Sequence, residues 1–304
     1  MDCPKCGFAL SAEAVDCPRC GIVIAKFLRA REVRPAVPDR AAVAAARDDA
    51  MRQEWRETMA RAAGLPAALL GAWLAVRASP GLIRMITMWV HESGHAVTAW
   101  MCGYVAMPGP WFTTVATTRS PFFAALVVGA VAFGGYHAWQ RRRWFWVAAA
   151  GAGVLATLGG TLLLSPASAQ QLIIFGGDGG CFVLGTMLML TLYARDDHPV
   201  SRNQLRWGLL AIGALAFVDA YHVWSGPIGG LPFGENENGM SDPSVLTEGY
   251  GWTPLLLVAR YLQLAHACLG VLLAVYVAAV FRRVAGVDST AMRERDPGTL
   301  REAS

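Results

Sequence analysis

Five consecutive residues, His91-Glu92-Ser93-Gly94-His95, have the types and the spacing to activate water. Residues four apart share a helix face, so His91 and His95 can offer two imidazole nitrogens to one divalent metal. Glu92 ligates nothing in such an arrangement and is placed to take a proton from water that the metal has made acidic. A pattern with three fixed positions recurs by chance, so its surroundings decide. Here the motif lies in the apolar run 82–104, long enough to cross a bilayer as a helix. Ionisable groups inside such a run are costly and mark function by default. The bland alternative makes the same three side chains polar glue between neighbouring helices.

A second set of chemistry-bearing residues opens the chain. Cys3-Pro4-Lys5-Cys6-Gly7 and Cys17-Pro18-Arg19-Cys20-Gly21 repeat one C-P-x-C-G unit, with ten residues between Cys6 and Cys17. In each unit the two thiolates converge and the glycine permits the tight turn, so the pair predicts one structural zinc held by Cys3, Cys6, Cys17 and Cys20. Two disulfides or a redox dithiol fit the duplicated spacing less well. A segment this short cannot build a core of its own, so the metal would supply much of its folding free energy. A closed four-thiolate site keeps no open position, which predicts an interaction module with a protein partner, in a reducing compartment.

These residues need elements to position them. The chain has 304 residues, 55% hydrophobic and 16% charged, with 11 Trp, a composition that predicts an all-α polytopic membrane protein. Residues 1–63 carry eleven Lys and Arg and nine Asp and Glu, whereas long tracts beyond are nearly uncharged. The expected organisation is a zinc ribbon over 1–27, a linker with Pro35 and Pro38 leading to an amphipathic helix over 28–63, a transmembrane domain over 64–284 and a polar tail over 285–304. About six spans are expected, at 82–104, 121–139, 144–164, 171–194, 205–224 and 254–281. The apolar run 65–76 is short and carries Pro66, and is read as not crossing. The chain opens Met-Asp-Cys-Pro-Lys-Cys in place of a basic region and an apolar one, so insertion is expected to rely on internal spans. The net charge of +4 is small and dispersed, and makes a nucleic-acid partner unlikely.

Two histidines leave a catalytic zinc one protein ligand short. Within the apolar runs the candidates are Asp178, in the glycine-rich stretch Gly176-Gly177-Asp178-Gly179-Gly180, and the pair Asp219 and His222, spaced i, i+3. His137 and His266 stand alone. The motif helix followed by Gly103-Tyr104, with Asp178-Gly179-Gly180 some eighty residues on, resembles the site-2 protease family of intramembrane zinc metalloproteases, over roughly residues 82–195. The Asn and Pro that precede the family's Asp-Gly are not both present, and no PDZ-like insertion is seen.

That resemblance implies a catalytic zinc held by His91, His95 and Asp178, with Glu92 as base, cleaving membrane-protein substrates. Asp219 and His222 remain alternatives as ligands, as orienting partners of a histidine, or as a structural pair. It also implies that the β-prone stretch in 105–120 forms a small sheet at the membrane edge; a plain connecting loop is the other reading. A catalytically inactive scaffold that binds metal and recruits partners through its ribbon is the alternative function. Arginines at 141–143, 195, 202, 206 and 282–283 place those connections in the cytoplasm, with both termini. The loop 225–253, with Glu235, Glu237, Asp242 and Glu248 and no Lys or Arg, belongs on the other side. The expected location is a bacterial cytoplasmic membrane with the N-terminus inside. One conflict follows, because the family's metal lies nearer the cytoplasm whereas these charges run the motif span outward.

Overall fold

The computed structural model describes residues 1–32, 40–194, 198–236 and 239–295. Pro35 and Pro38 of the expected linker, Arg195, Glu237 and the tail residues 296–304 lie outside the described residues. The chain divides into two compact units, Met1–Arg56 and Glu57–Ser304.

The first unit is built by two equivalent turns. Cys3 N–H donates to Phe8 O and Gly7 N–H to Cys3 O, and fourteen residues later Cys17 N–H donates to Ile22 O and Gly21 N–H to Cys17 O. Gly7 and Gly21 both have φ of +69°, a left-handed conformation in which a side chain would be strained. Single antiparallel bridges, Asp2 with Ala9 and Asp16 with Val23, brace the turns. Cys3, Cys17, Leu10 and Ile24 form a small cluster beneath them, and helix α1 follows at Ile24–Glu32.

Helix α2, Arg40–Ala78, continues through Pro66. Then come α3 (Pro80–Met101), strands β1 (Tyr104–Pro108) and β2 (Thr113–Arg119), α4 (Pro121–Gln140), α5 (Trp144–Leu162) and α6 (Pro166–Leu190). A short α7 (Pro199–Arg202) leads into α8 (Leu205–Trp224). A two-residue hairpin, β3 (Glu235–Asn236) with β4 (Gly239–Met240), precedes the single turn α9 (Asp242–Ser244), a π turn at Val245–Gly249 and α10 (Pro254–Arg295). Proline stands in the first turn of α3, α4, α6 and α9, where its missing N–H costs nothing.

The described residues contain six helices long and apolar enough to cross a membrane, at Ala41–Ala78, Pro121–Gln140, Trp144–Leu162, Pro166–Tyr193, Leu205–Trp224 and Pro254–Arg282. The protein is thus an all-α polytopic membrane protein, and five of the six agree with the spans expected from sequence. The exchange is at the start. The run around Pro66 belongs to a long continuous helix that qualifies, whereas α3 does not, because Arg84, His91, Glu92 and His95 lower its hydropathy.

What α3 lacks in apolarity it recovers in burial. Its motif face packs against α6, and α6 against α8. A Cβ added to Gly94 would collide with the backbone of Gly176, Gly177 and Gly180, so the helices meet backbone to backbone. The main core lies among α2, α6, α8 and α10, with Phe182, Phe217, Trp224 and Tyr261 at its centre.

Candidate metal centre

His91 and His95 are presented by α3 at helical spacing, and α6 runs antiparallel past them. His95 Nδ1 is 2.8 Å from the carbonyl oxygen of Ile173, and His91 Nδ1 is 2.9 Å from Asp178 Oδ1. A carbonyl can only accept, so the proton of His95 is on Nδ1. Asp178 also accepts from Trp224 Nε1 at 2.9 Å and lies 3.2 Å from the Arg84 guanidinium, the surroundings of an ionised carboxylate, so His91 likewise carries its proton on Nδ1. In the neutral form of each ring, that leaves Nε2 as the bare lone pair.

Those lone pairs converge with a third acceptor. His91 Nε2 and His95 Nε2 are 3.2 Å apart, and Asp242 Oδ2 lies 3.2 Å from the first and 3.1 Å from the second. Three acceptors at these separations repel unless a cation lies among them. A proton on one nitrogen would serve one neighbour, whereas a divalent metal serves all three. A tetrahedral metal with bonds of about 2.0–2.1 Å to N and O sets its donors roughly 3.3 Å apart. The triangle thus has the dimensions of one face of a zinc tetrahedron, and His91, His95 and Asp242 form a group able to hold a metal ion.

The site residues expected from sequence divide accordingly. His91 and His95 come together. Asp178 reaches the site but on the far nitrogen of His91, where it orients the ring in the manner of the carboxylates that stand behind metal-bound histidines. His91, Asp178 and Cys181 also cluster, but Arg84 already supplies the cation that Asp178 needs there. Asp219 and His222 do not act as a pair. Asp219 is buried and accepts from Thr87 Oγ1 at 2.8 Å and Arg84 at 3.3 Å, whereas His222 is exposed one turn on. His137 and His266 are exposed and belong to none of the metal-capable groups among the described residues.

Asp242 is the residue that sequence reasoning missed. Ligand candidates within apolar runs leave it out, because this acid lies in the polar loop beyond α8, at the first turn of α9. Nothing in the sequence separated it from Glu235, Glu237 and Glu248. Ser241-Asp242-Pro243 does carry a helix-start pattern that fixes its backbone.

Glu92, 4% exposed, lines the same cavity as the triad, a space of about 490 Å³ walled by Trp111 and Phe112 of the β1–β2 turn and by Pro232 and Met240 of the distal loop. The Thr113 hydroxyl, at the start of β2, lies 2.7 Å from Glu92 Oε2 and 2.8 Å from Glu92 O. The β-prone stretch is thus a true hairpin, with Ala106 opposite Val115 and Pro108 opposite Thr113, and it reaches back to the motif.

The four cysteines gather as expected, with Sγ atoms of Cys3 and Cys20, and of Cys6 and Cys17, each 3.7 Å apart. Zinc–sulfur bonds of about 2.3 Å place tetrahedral thiolates roughly 3.8 Å apart, so this cluster also fits a metal. Comparison with family models, curated proteins and solved structures returned no match.

Proposed function

We propose that this protein is an intramembrane zinc metallopeptidase that hydrolyses peptide bonds of membrane-protein substrates, with His91, His95 and Asp242 as metal ligands. The observation that carries the reading is the convergence of two imidazole Nε2 atoms and one carboxylate oxygen within about 3.2 Å of one another, in a cavity that Glu92 also lines and that is large enough for a peptide segment. Two imidazoles and one carboxylate are a recurring catalytic zinc set that leaves a fourth position open. The ligand set departs from the resemblance, which would use Asp178.

When bound, the metal supplies a Lewis acid that polarises a carbonyl and makes water acidic at neutral pH. Glu92 accepts the water proton and returns it to the departing amine nitrogen, so that peptide and water give one carboxylate and one ammonium once the new acid's proton has also passed to the amine. Thr113 holds the Glu92 carboxylate toward the cavity. Asp178, itself held by Arg84 and Trp224, keeps His91 in the tautomer that exposes Nε2. The N-terminal cysteines make a zinc ribbon that serves as a docking module, with the N-terminus in the cytoplasm of a bacterial cell.

Purified full-length protein should contain two zinc per chain and cleave a membrane substrate. Glu92→Gln should keep both metals and lose cleavage. Full cleavage by that variant would overturn the role of Glu92, and metal without any cleavage by the native chain would leave a binding scaffold.

A further inference from the structure

Among the described residues, the ends of α3, α5 and α8 and the starts of α4, α6 and α10 lie at one face of the transmembrane unit. The C-terminus of α3 meets the N-terminus of α4, where Ser120 N–H donates to Gly103 O at 2.9 Å. The C-terminus of α5 meets the same place, because a Cβ on Gly160 would strike Met101 and Arg119 donates to Gly160 O and Leu164 O. Helix α6 starts there and runs antiparallel to α3, with Ile173 beside His95 and Asp178 beside His91. Helix α8 returns to it with Trp224 on Asp178, and α10 leaves it, with Trp252 bonded to Gln171 and Tyr261 to Phe175 O.

The opposite helix ends lie together as well. Arg206, at the start of α8, pairs with Glu57 at 3.0 Å, and Gly64 of α2 packs on Trp207 and Leu192. Arg61, Tyr193 and Arg282 line one cavity. The turn between α4 and α5, twenty residues or about 30 Å from Ser120, holds Arg141, Arg142 and Arg143. Connections at this far end therefore carry Arg141–143, Arg202 and Arg282 beside Arg206. Connections 102–120, 163–165 and 225–253 at the metal end hold one basic residue, Arg119, whose guanidinium donates to the carbonyls of Gly160 and Leu164. They also hold Glu235, Asp242 and Glu248.

Short connections rich in arginine stay in the cytoplasm. We propose that the metal cavity opens to the non-cytoplasmic face of the membrane, so that a substrate polypeptide enters from that side. The exposed Trp111 and Phe112 of the hairpin and Met240 of the distal loop flank the entrance, which suits an extended apolar segment lying at the outer membrane surface. The word substrate rests on the metallopeptidase reading; the orientation does not.

Single cysteines at Met240→Cys and Arg142→Cys in the full chain, treated with a membrane-impermeant maleimide on intact cells and again after permeabilisation, test the orientation without measuring cleavage. Label is located by peptide mapping, which separates it from the native thiols. Met240→Cys should label on intact cells and Arg142→Cys only after permeabilisation. Labelling of Arg142→Cys from outside, or protection of Met240→Cys until permeabilisation, overturns the proposal and leaves the enzymatic reading intact. Loss of cleavage with the expected labelling does the reverse.

Discussion

The two groups able to hold a metal are made in opposite ways. The cysteine cluster draws four identical ligands from eighteen consecutive residues, through two turns that repeat bond for bond. The histidine cluster draws two ligands from one helix and the third from a loop about 150 residues later, and it faces a cavity. A local, fully thiolate set closes a metal in and stabilises a segment with little core. A dispersed set with two nitrogens and one oxygen leaves an open position, and it exists only once the transmembrane unit has assembled. The contrast separates a site whose metal would serve the fold from one whose fold would serve the metal.

That contrast can be broken most directly by removing the distant ligand. Asp242→Ala should lose the transmembrane metal and all cleavage while the cysteine cluster keeps its own, and Cys3→Ser should do the converse; metal counts per chain check both. Retention of both metals by Asp242→Ala would return the third-ligand role to Asp178. Glu92→Gln should lower kcat by on the order of 10²–10⁴ with metal content unchanged, in single-turnover assays.

Smaller effects sharpen the comparison. A Cβ on Gly177 would sit 2.6 Å from His95 Nε2 and from His91 Cε1. Gly177→Ala should therefore weaken transmembrane metal binding and cost about 1–3 kcal/mol in stability, read by metal titration and thermal unfolding. Asp178→Asn should weaken that metal roughly 10–100-fold without abolishing it, as expected of a group that orients a ligand. Thr113→Val should reduce kcat about tenfold with little change in KM, the cost of one hydrogen bond to a charged group. Thr113→Ser, which keeps the hydroxyl, should restore it.

How far each part could be read beforehand follows from the same distinction. Five spans and the cysteine knuckles are local patterns, and each stands where apolar runs and the repeated C-P-x-C-G placed it, whereas the β-prone stretch 105–120 left hairpin and plain loop both open. The pairing of Gly94 with the α6 glycines was foreshadowed by the composition of 176–180. Asp242 was not legible, because its role depends on α8 returning to the height of His91, a tertiary fact that no spacing encodes. Arg84 and Trp224 were hidden for the same reason. Asp178 drew attention correctly as a buried acid beside the motif, but sequence cannot tell which nitrogen of an imidazole a carboxylate will face.

Helix α3 carries a further consequence for how the protein is made. It bears the His91–His95 motif yet, among the described residues, is a long helix at the site too polar to rank among the apolar spans. A translocon that sorts segments by hydropathy would hold it poorly by itself. Its polar face is covered by α6 and its arginine is matched by Asp178 and by Asp219 of α8, which follow Arg84 by 94 and 135 residues. Nascent chains that end before α8 should therefore leave α3 extractable from the membrane, and its stable integration should await the second half of the protein.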